Sequence, residues 1–233
     1  MGLTNTAEDL QLLGPLVRLQ QLASPTLPVG SFAYSQGLET AREFGWVHDR
    51  ATAQSWILEL LHDVVPAIDL PLLSRMYTAW AEHDEAAVEE WSTLLLANRE
   101  SAEFVAEEHH LGAALARLLT HLGISDAQPW IDHPQRTRAA TFSLAAVRWE
   151  IPLSWTAAAW AFGWCENQVN AAVRLIPLGQ SDGQCILREA TRFIPEVVER
   201  GLDTDDDEIG FATPRLALAS ALHETQNVRL FRS

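Results

Sequence analysis

Two pairs of side chains in this sequence have the spacing of metal ligands on a helix. Glu59 and His62 are three residues apart, and so are Glu107 and His110. In di-metal four-helix bundles, two such pairs combine with one glutamate from each of two other helices. However, roughly 0.7 pairs are expected by chance in a chain of this composition. A di-metal carboxylate four-helix-bundle enzyme that uses these four residues is therefore the alternative hypothesis and not the leading one.

The second pair also lies within a polar run, Glu107-Glu108-His109-His110. Such a run is typical of a solvated helix face, which is our prediction for it. Other chemistry has little support: Gly30 and Gly37 lack the Lys-Ser/Thr of a phosphate-binding loop. Cys165 lies in an apolar stretch, where a thiol is usually a small buried hydrophobic group. We therefore predict no catalytic residue, no cofactor and no metal ligand.

The charge balance limits the classes of partner. The chain has 16 basic and 31 acidic residues, which gives a net charge of −15. Nucleic acids and anionic membranes bind clustered positive charge, so neither is expected as a partner, and a basic protein fits better. The two cysteines lack the spacing of a disulfide framework or a zinc finger, and no secretory signal is evident. These features favour a reduced, cytoplasmic protein.

The elements that must position any site are organised around one stretch, Trp155 to Cys165. It is apolar on every side, which is typical of a helix buried in a core or a membrane. Its length is well short of the roughly 20 residues that cross a bilayer. Trp155, Trp160 and Trp164 alternate with small residues, so neighbouring helices can approach closely. We therefore predict a buried central helix over about 153–176.

Helical periodicity recurs along the chain, and no convincing period-2 strand pattern appears. The prediction is an all-α, single-domain bundle of about eight to ten helices around the central helix. A helix break or start is expected near Gly14-Pro15, followed by an ordered turn over Ser24–Phe32, which is rich in proline and glycine. Ala33–Phe44 is predicted to be one short helix, and 184–200 another.

Three units are predicted along the chain. They are an all-helical domain at 1–202, an acidic flexible linker at 203–213 and a C-terminal tail at 214–233. The linker carries a block of like charges, which is usually solvated and mobile. The tail ends in Leu230-Phe231 flanked by two arginines and has little core of its own to pack on. It is therefore predicted to become ordered when it binds a partner.

Polar side chains follow the apolar half of the central helix, at Glu166, Asn167 and Gln168. Buried polar groups must find hydrogen-bond partners, so these residues form either a structural polar network or part of an interface. The structural network is favoured, because such networks can specify one packing arrangement.

Three stretches of the sequence together resemble the urease accessory protein UreF family. They are LQQLASPTLPVGSFAYSQGLE at Leu19–Glu39, ENQVNAAVRLIPLGQ at Glu166–Gln180 and HETQNVRLFRS at His223–Ser233. They lie at the front, middle and end of the chain, so the resemblance covers nearly its whole length. The chain departs from the family pattern at Asn227-Val228, at Cys165 and at the run from Glu107 to His110, where the family is usually more basic.

The resemblance implies a non-catalytic, all-helical protein that is typically dimeric. Family members bind the accessory protein UreD, called UreH in some organisms, and in that complex recruit or regulate the GTPase UreG for nickel delivery to apo-urease. A nickel-insertion chaperone or adaptor is therefore the leading hypothesis. Transient nickel binding at His48, His109, His110 or His223 is a minor alternative, because these residues show no ligand spacing on one element.

The resemblance also implies which residues bind partners. They come from the proline/glycine turn and from the C-terminal tail: Pro28, Gly30, Phe32, Tyr34, Ser35, Gln36, Glu39, His223, Glu224, Gln226, Arg229, Leu230, Phe231, Arg232 and Ser233.

Overall fold

The computed structural model describes residues 7–210 and 213–233, with side chains from Leu10 onwards. Within these residues the protein is all-α, which confirms the predicted fold class. Its α-helices in the described part are α1 (Ala7–Leu22), α2 (Leu38–Glu43), α3 (Arg50–Asp63), α4 (Leu70–Ala81), α5 (Glu85–Ala97), α6 (Ala102–His121), α7 (Arg138–Arg148), α8 (Leu153–Leu175), α9 (Gln180–Thr191), α10 (Ile194–Asp203) and α11 (Pro214–His223). Short 3-10 turns lie at Ser31–Ala33, Ser125–Ile131 and Asp206–Glu208, and a π-helical turn lies at Val65–Asp69.

Helix α8 lies at the centre of the bundle, as predicted, and packs against α2, α3, α4, α7, α9 and α10. Trp160 and Trp164 are buried, and the small side chains of Ala157 and Ala161 between and before them are fully enclosed. Large and small residues on one helix let several neighbours approach it closely. None of the helices in the described part has both the length and the hydropathy that crossing a bilayer requires.

Helices α4 and α7 form a second major contact. Trp80 of α4 is almost fully buried, and its indole N–H donates to the Ala140 carbonyl of α7 at 2.8 Å. The Trp80 ring meets Trp130 edge-on, with 5.5 Å between ring centroids. The core therefore buries a large aromatic group whose one polar atom is paired, which is the stable way to bury tryptophan.

Polar N-caps fix where several helices begin. At α3, the Thr52 N–H donates to the Asp49 carboxylate at 2.8 Å, and the Asp49 N–H donates to the Thr52 hydroxyl at 3.0 Å, which is a capping box. Ser101 and Thr137 are simple N-caps of α6 and α7, whose hydroxyl groups accept from the Phe104 and Ala140 N–H groups. Gly112 lets α6 approach the start of α7, because a Cβ there would lie 2.7 Å from the Thr137 carbonyl carbon.

The helix predicted over Ala33–Phe44 begins later than expected. Gln36 and Gly37 have φ angles of 51° and 83°, so the chain turns before α2 starts at Leu38. Left-handed backbone is easy for glycine but costs energy for glutamine. The prediction was wrong because the contacts that stabilise Gln36 in this conformation come from distant parts of the chain.

Two proline positions also behave differently from expectation. The helix predicted over 184–200 is two helices, because Pro195 lacks an N–H donor and its ring would clash with the Thr191 carbonyl; α9 ends at Thr191. By contrast, α1 continues through Pro15, where a break or start was expected.

The acidic segment 203–213, predicted to be a flexible linker, contacts the domain in the part that the structure describes. Asp206 accepts a hydrogen bond from Arg75 at 2.8 Å, and the Gly210 N–H donates to the Ala67 carbonyl at 3.2 Å. Residues 211–212 lie outside the described residues. Arg75 therefore provides a positive charge with which the acidic segment can pair on the surface of an acidic domain.

Candidate partner-binding surface

The C-terminal segment, Glu224–Ser233, packs against the turn that precedes α2. The N–H groups of Ser35 and Gln36 donate to the Ser233 main-chain oxygen at 2.9 and 3.1 Å, and the Arg232 N–H donates to the Ala33 carbonyl at 2.9 Å. These main-chain bonds join two parts of the chain that are almost 200 residues apart in sequence. We call this contact the junction.

A buried glutamate of α2 binds the C-terminal segment at the junction. The Glu39 carboxylate accepts hydrogen bonds from the N–H groups of Leu230 at 2.7 Å and Phe231 at 2.9 Å. His223, which is fully buried, contacts Glu39 at 3.4 Å and Glu103 of α6 at 2.6 Å. Hydrogen bonds to a charged acceptor are stronger than neutral ones, so Glu39 is a principal attachment point of the segment.

Arginines complete the attachment from both sides. Arg229 donates to Glu103 at 2.5 Å and to the Glu224 carbonyl at 2.6 Å. On the other side, the Arg174 guanidinium lies 4.6 Å from the centroid of the Phe231 ring and donates to the Phe32 carbonyl. The tail expected to have little core to pack on therefore packs on its own domain, because Phe231 is a buried apolar anchor and polar groups pair around it.

Gln36 is the central residue beneath the junction. Its Nε2 donates to Glu107 at 2.7 Å, and its Oε1 accepts from the Trp164 indole N–H at 2.7 Å. Nearby on α8, Asn167 donates to the Tyr34 carbonyl at 2.9 Å and Gln168 donates to the Ser35 carbonyl at 3.1 Å. These bonds fix the positive φ of Gln36, as expected of a strained residue that its surroundings determine.

Glu166 of the predicted polar network differs from Asn167 and Gln168 in its contacts. Asn167 and Gln168 bond the turn, whereas Glu166 has no hydrogen-bond partner among the described residues. Glu166 instead lines a cavity of about 60 Å³ that the Ser24–Phe32 turn covers. Partial burial raises the pKa of Glu166.

A cluster of buried charges lies below the junction. Arg99 donates to both Asp69 and Glu108 at 2.6 Å, and the Arg138 N–H donates to Glu108 at 2.9 Å. Glu107 and Glu108 are each only 6% exposed, so the prediction of a solvated face was wrong for these two residues, whereas His110 at the end of the run is exposed. Burial, with a smaller contribution from Glu108, raises the pKa of Glu107 to about 7, although its hydrogen bonds act in the opposite direction.

The residues that resemble a partner-binding site differ in their exposure to solvent. Tyr34, Ser35, Glu39, His223, Phe231 and Ser233 are buried and make up the junction. Phe32 is 62% exposed and Leu230 is 54% exposed, and the neighbouring Val228, at 83%, is also open to solvent. We call these three apolar side chains the exposed patch. Pro28, Glu224, Arg229 and Arg232 are exposed as well, while Gly30 and Gln226 are half-buried.

Comparison with known proteins gives the chain its family. The UreF family model matches residues 47–191. The urease accessory protein UreF of Alkalilimnicola ehrlichii is 46% identical over 216 residues, which cover 93% of this chain and 95% of that protein. The protein of the same name from a Pseudomonas putida strain is 45% identical, with 94% and 97% covered, and that from Chromohalobacter salexigens is 42% identical, with 94% of each covered.

The chain belongs to the UreF family. This confirms the resemblance found in the three motifs. Those motifs now have a common location: in this UreF-family protein, the first and third meet at the junction, and the second supplies Asn167, Gln168 and Arg174 beneath them.

The two Glu-x-x-His pairs do not come together in this UreF-family chain. Glu59 pairs with Arg215, and His62 packs edge-on against Phe193. Glu107 bonds Gln36 and Ser233, while His110 contacts the Tyr34 hydroxyl. In the described part of the chain, no three His, Cys, Asp or Glu side chains are grouped closely enough to hold a metal ion. The arrangement therefore contradicts the di-metal hypothesis.

The structure also shows the surroundings of Cys165 and of a Gly-x-Ser-x-Gly pattern that the sequence analysis did not identify. Burial raises the pKa of Cys165 to about 12, which keeps the thiol protonated and unreactive. Gly179-Gln180-Ser181-Asp182-Gly183 matches the Gly-x-Ser-x-Gly pattern of a hydrolase nucleophile elbow. That elbow needs a strand-turn-helix context, whereas here Gly179 is the N-cap of α9 and the other four residues form the first turn of that helix. The sequence pattern without that structural context does not indicate a hydrolase.

Sequence reasoning missed the charged cluster around Arg99 in this family member. A signal for it exists: Phe104, Glu108, Leu111 and Leu115 fall on one helical stripe with spacings of four, three and four. An acid on an apolar stripe is buried with its neighbours and needs a cation. What the sequence does not indicate is that Arg99, which lies before α6, is that cation.

Proposed function

We propose that this UreF-family chain is a urease maturation factor that acts by binding other proteins and not by catalysis. Its relatives carry the name of a urease accessory protein, which supplies the pathway. The observation that supports the mode of action is the exposed patch: the hydrogen-bonded junction presents Phe32, Val228 and Leu230 to solvent. Exposed apolar groups with a polar rim are typical of protein interaction sites.

The patch is the proposed docking site for UreD, or UreH. Arg174 and Arg232 are exposed beside it, although the whole chain has a net charge of −15. A surface that combines apolar groups with carboxylates would complement it, because guanidinium groups bind carboxylates in a bidentate geometry. The partner surface at this patch is therefore expected to be acidic, whereas the overall charge of the chain favours a basic partner.

In the complex with UreD or UreH, the chain is proposed to recruit or regulate the GTPase UreG, so that nickel reaches apo-urease. A homodimer is the proposed form of the chain, and the cytoplasm its proposed location. These assignments rest on the family resemblance. Both cysteines are unpaired, which is consistent with a reducing compartment. Nickel in this scheme is cargo, and the chain itself supplies no catalytic residue.

A double variant tests the docking site. Phe32→Asp combined with Leu230→Asp should weaken UreD binding at least tenfold, because buried apolar anchors each contribute roughly 1–2 kcal/mol at an interface. The helical circular dichroism should stay unchanged, since both side chains are exposed. Titration calorimetry or a quantitative pull-down with UreD measures the effect.

Leu122→Asp is the matched control. Leu122 is an exposed leucine at the far end of α6, roughly 28 Å along the helix from Glu103, and its variant should bind UreD normally. Wild-type affinity in the double variant would remove the patch from the mechanism. Full nickel loading of urease in cells that lack this chain but contain its partners would overturn the proposed function itself.

A further inference from the structure

One buried carboxylate touches both halves of the junction. Glu107 Oε1 accepts from Gln36 Nε2 at 2.7 Å, and Glu107 Oε2 accepts from the Ser233 hydroxyl at 2.9 Å. The Gln36 main chain in turn bonds Ser233. Glu107 is 6% exposed in this arrangement, so the C-terminal segment and the turn together shield it from water.

Glu107 is also the carboxylate of the buried cluster that accepts no hydrogen bond from an arginine in the described part of the chain, although the charge of Arg99 acts to lower its pKa. A cavity of about 40 Å³ is lined by three acids, Asp69, Glu107 and Glu108, and by two arginines, Arg99 and Arg138. Arg99 is committed to Asp69 and Glu108. The Arg138 guanidinium stacks on Trp160, 4.5 Å from the ring centroid. Neither guanidinium donates to Glu107 within the described part of the chain, so an ionised Glu107 is the surplus charge.

The other ionisable groups around Glu107 do not balance this charge. On its own helix, Glu108 repels it, and the nearby His110 contacts the Tyr34 hydroxyl. Tyr34 of the turn faces it as a neutral phenol, whose pKa is raised chiefly by burial. Arg232 of the C-terminal segment acts on Tyr34 and is exposed to water, which screens its charge.

The protonated form fits the same hydrogen bonds without a surplus charge. Gln36 Nε2 can only donate, so Glu107 Oε1 must stay an acceptor. A proton on Oε2 can be donated to the Ser233 hydroxyl, which rotates freely and can accept as well as donate. Closing the junction over a neutral Glu107 therefore keeps every partner and avoids burying a charge without a counter-ion.

We propose that Glu107 is a proton-controlled latch on the C-terminal segment: the neutral carboxyl favours the docked segment, and the ionised carboxylate favours its release and the entry of water. Docking assembles the exposed patch, so the latch would regulate partner binding at that surface. This second step rests on the proposed function, whereas the latch itself is a property of the isolated chain.

The direction of the pH effect follows from the raised pKa. In the docked state, the Glu107 carboxyl keeps its proton up to about pH 7. In the released state, it loses that proton near its ordinary pKa of 4.5. The stabilisation of the docked state is therefore complete below about pH 4.5 and is lost as the pH rises through about 7. Between pH 6 and pH 8, the docked-to-released ratio should fall about tenfold.

Hydrogen exchange on the full chain tests the latch. The readout is the protection factor, corrected for intrinsic exchange, of the Leu230 and Phe231 amides, which bond Glu39 only when the segment is docked. In the wild type, protection should fall about tenfold between pH 6 and pH 8. Glu107→Gln imitates the neutral acid, because its amide can accept from Gln36 and donate to Ser233, and its protection should vary less than twofold.

A control variant and an NMR titration of Glu107 complete the test of the latch. Glu90→Gln changes an exposed glutamate of α5 and should behave as the wild type does. If Glu107→Gln fails to fold, the carboxyl carbon of Glu107 in the wild type is titrated by NMR, and its midpoint should coincide with the loss of protection. A pH-independent wild type, an unchanged pH dependence in Glu107→Gln, or a separate midpoint would overturn the latch. None of these outcomes depends on UreD, so a failed latch and a failed docking site are distinguishable.

Discussion

The helical core and the junction are two regions of one molecule that are stabilised by different interactions. In the core, α4, α7 and α8 bury tryptophans and leucines, and polar atoms such as the Trp80 N–H are paired. At the junction, the C-terminal segment buries Phe231 as its large apolar side chain and otherwise depends on hydrogen bonds to Glu39, Gln36 and Glu107. The core is therefore stabilised mainly by the packing of apolar side chains, and the junction mainly by hydrogen bonds.

This difference has an energetic consequence. Burying a large apolar side chain contributes roughly 1.5–3 kcal/mol, and the core contains many. A typical hydrogen bond contributes a net of about 1 kcal/mol. The junction is therefore expected to open while the core stays folded, as regions with few apolar contacts do in general. Mutations should separate the two regions: core variants lower global stability, and junction variants change local protection.

The largest effect is expected from Trp80→Ala. The variant leaves a cavity between α4 and α7 and removes the partner of the Ala140 carbonyl, so the free energy of unfolding should fall by about 4 kcal/mol. Urea denaturation followed by circular dichroism measures this change. Val228→Ala, at a side chain that is 83% exposed, is the control and should leave the midpoint unchanged. Equal losses in the two variants would contradict the division into core and junction.

A smaller and local effect is expected from Glu39→Gln. A glutamine offers one acceptor oxygen where the carboxylate serves the N–H groups of both Leu230 and Phe231, so one buried donor loses its partner. Such a loss costs roughly 2 kcal/mol, which is about a 30-fold drop in the protection of those two amides. The denaturation midpoint of the core should not move.

Glu43→Gln is the matched control for that variant, because Glu43 is an exposed glutamate on the same helix. Its protection factors should equal those of the wild type. If Glu39→Gln instead lowered global stability and the protection of the segment by the same amount, the junction and the core would be one cooperative unit.

The sequence predicts the core well for a physical reason. The alternation of Trp160 and Trp164 with alanines is a local pattern, and local patterns determine which face of a helix is apolar. Helix breaks were harder to predict. Pro195 divides a predicted helix while Pro15 does not, because the cost of a lost hydrogen bond is weighed against tertiary contacts that the sequence does not display.

The junction could be predicted only in part. The family motifs point to the turn and the C-terminal tail, and the structure brings the two together. However, the bond from Leu230 to Glu39 spans 191 positions, and the burial of Glu107 beneath Ser233 spans 126. No periodicity within one helix encodes such pairings. For this reason the tail was expected to lack a packing surface, and Glu107 was expected to be solvated.

The smallest effect is expected where the acidic segment meets the domain. Asp206→Asn weakens the bond to Arg75, but the Asp206 side chain is 62% exposed, and Arg75 also donates to the Thr204 carbonyl at 2.7 Å. An exposed ion pair contributes little once salt screens it, so the free energy of unfolding should change by about 0.5 kcal/mol or less, and less still in 0.5 M salt. Urea denaturation at two salt concentrations measures both values. A loss above about 1.5 kcal/mol would place this segment with the buried charges of the junction, since only desolvated pairs contribute that much.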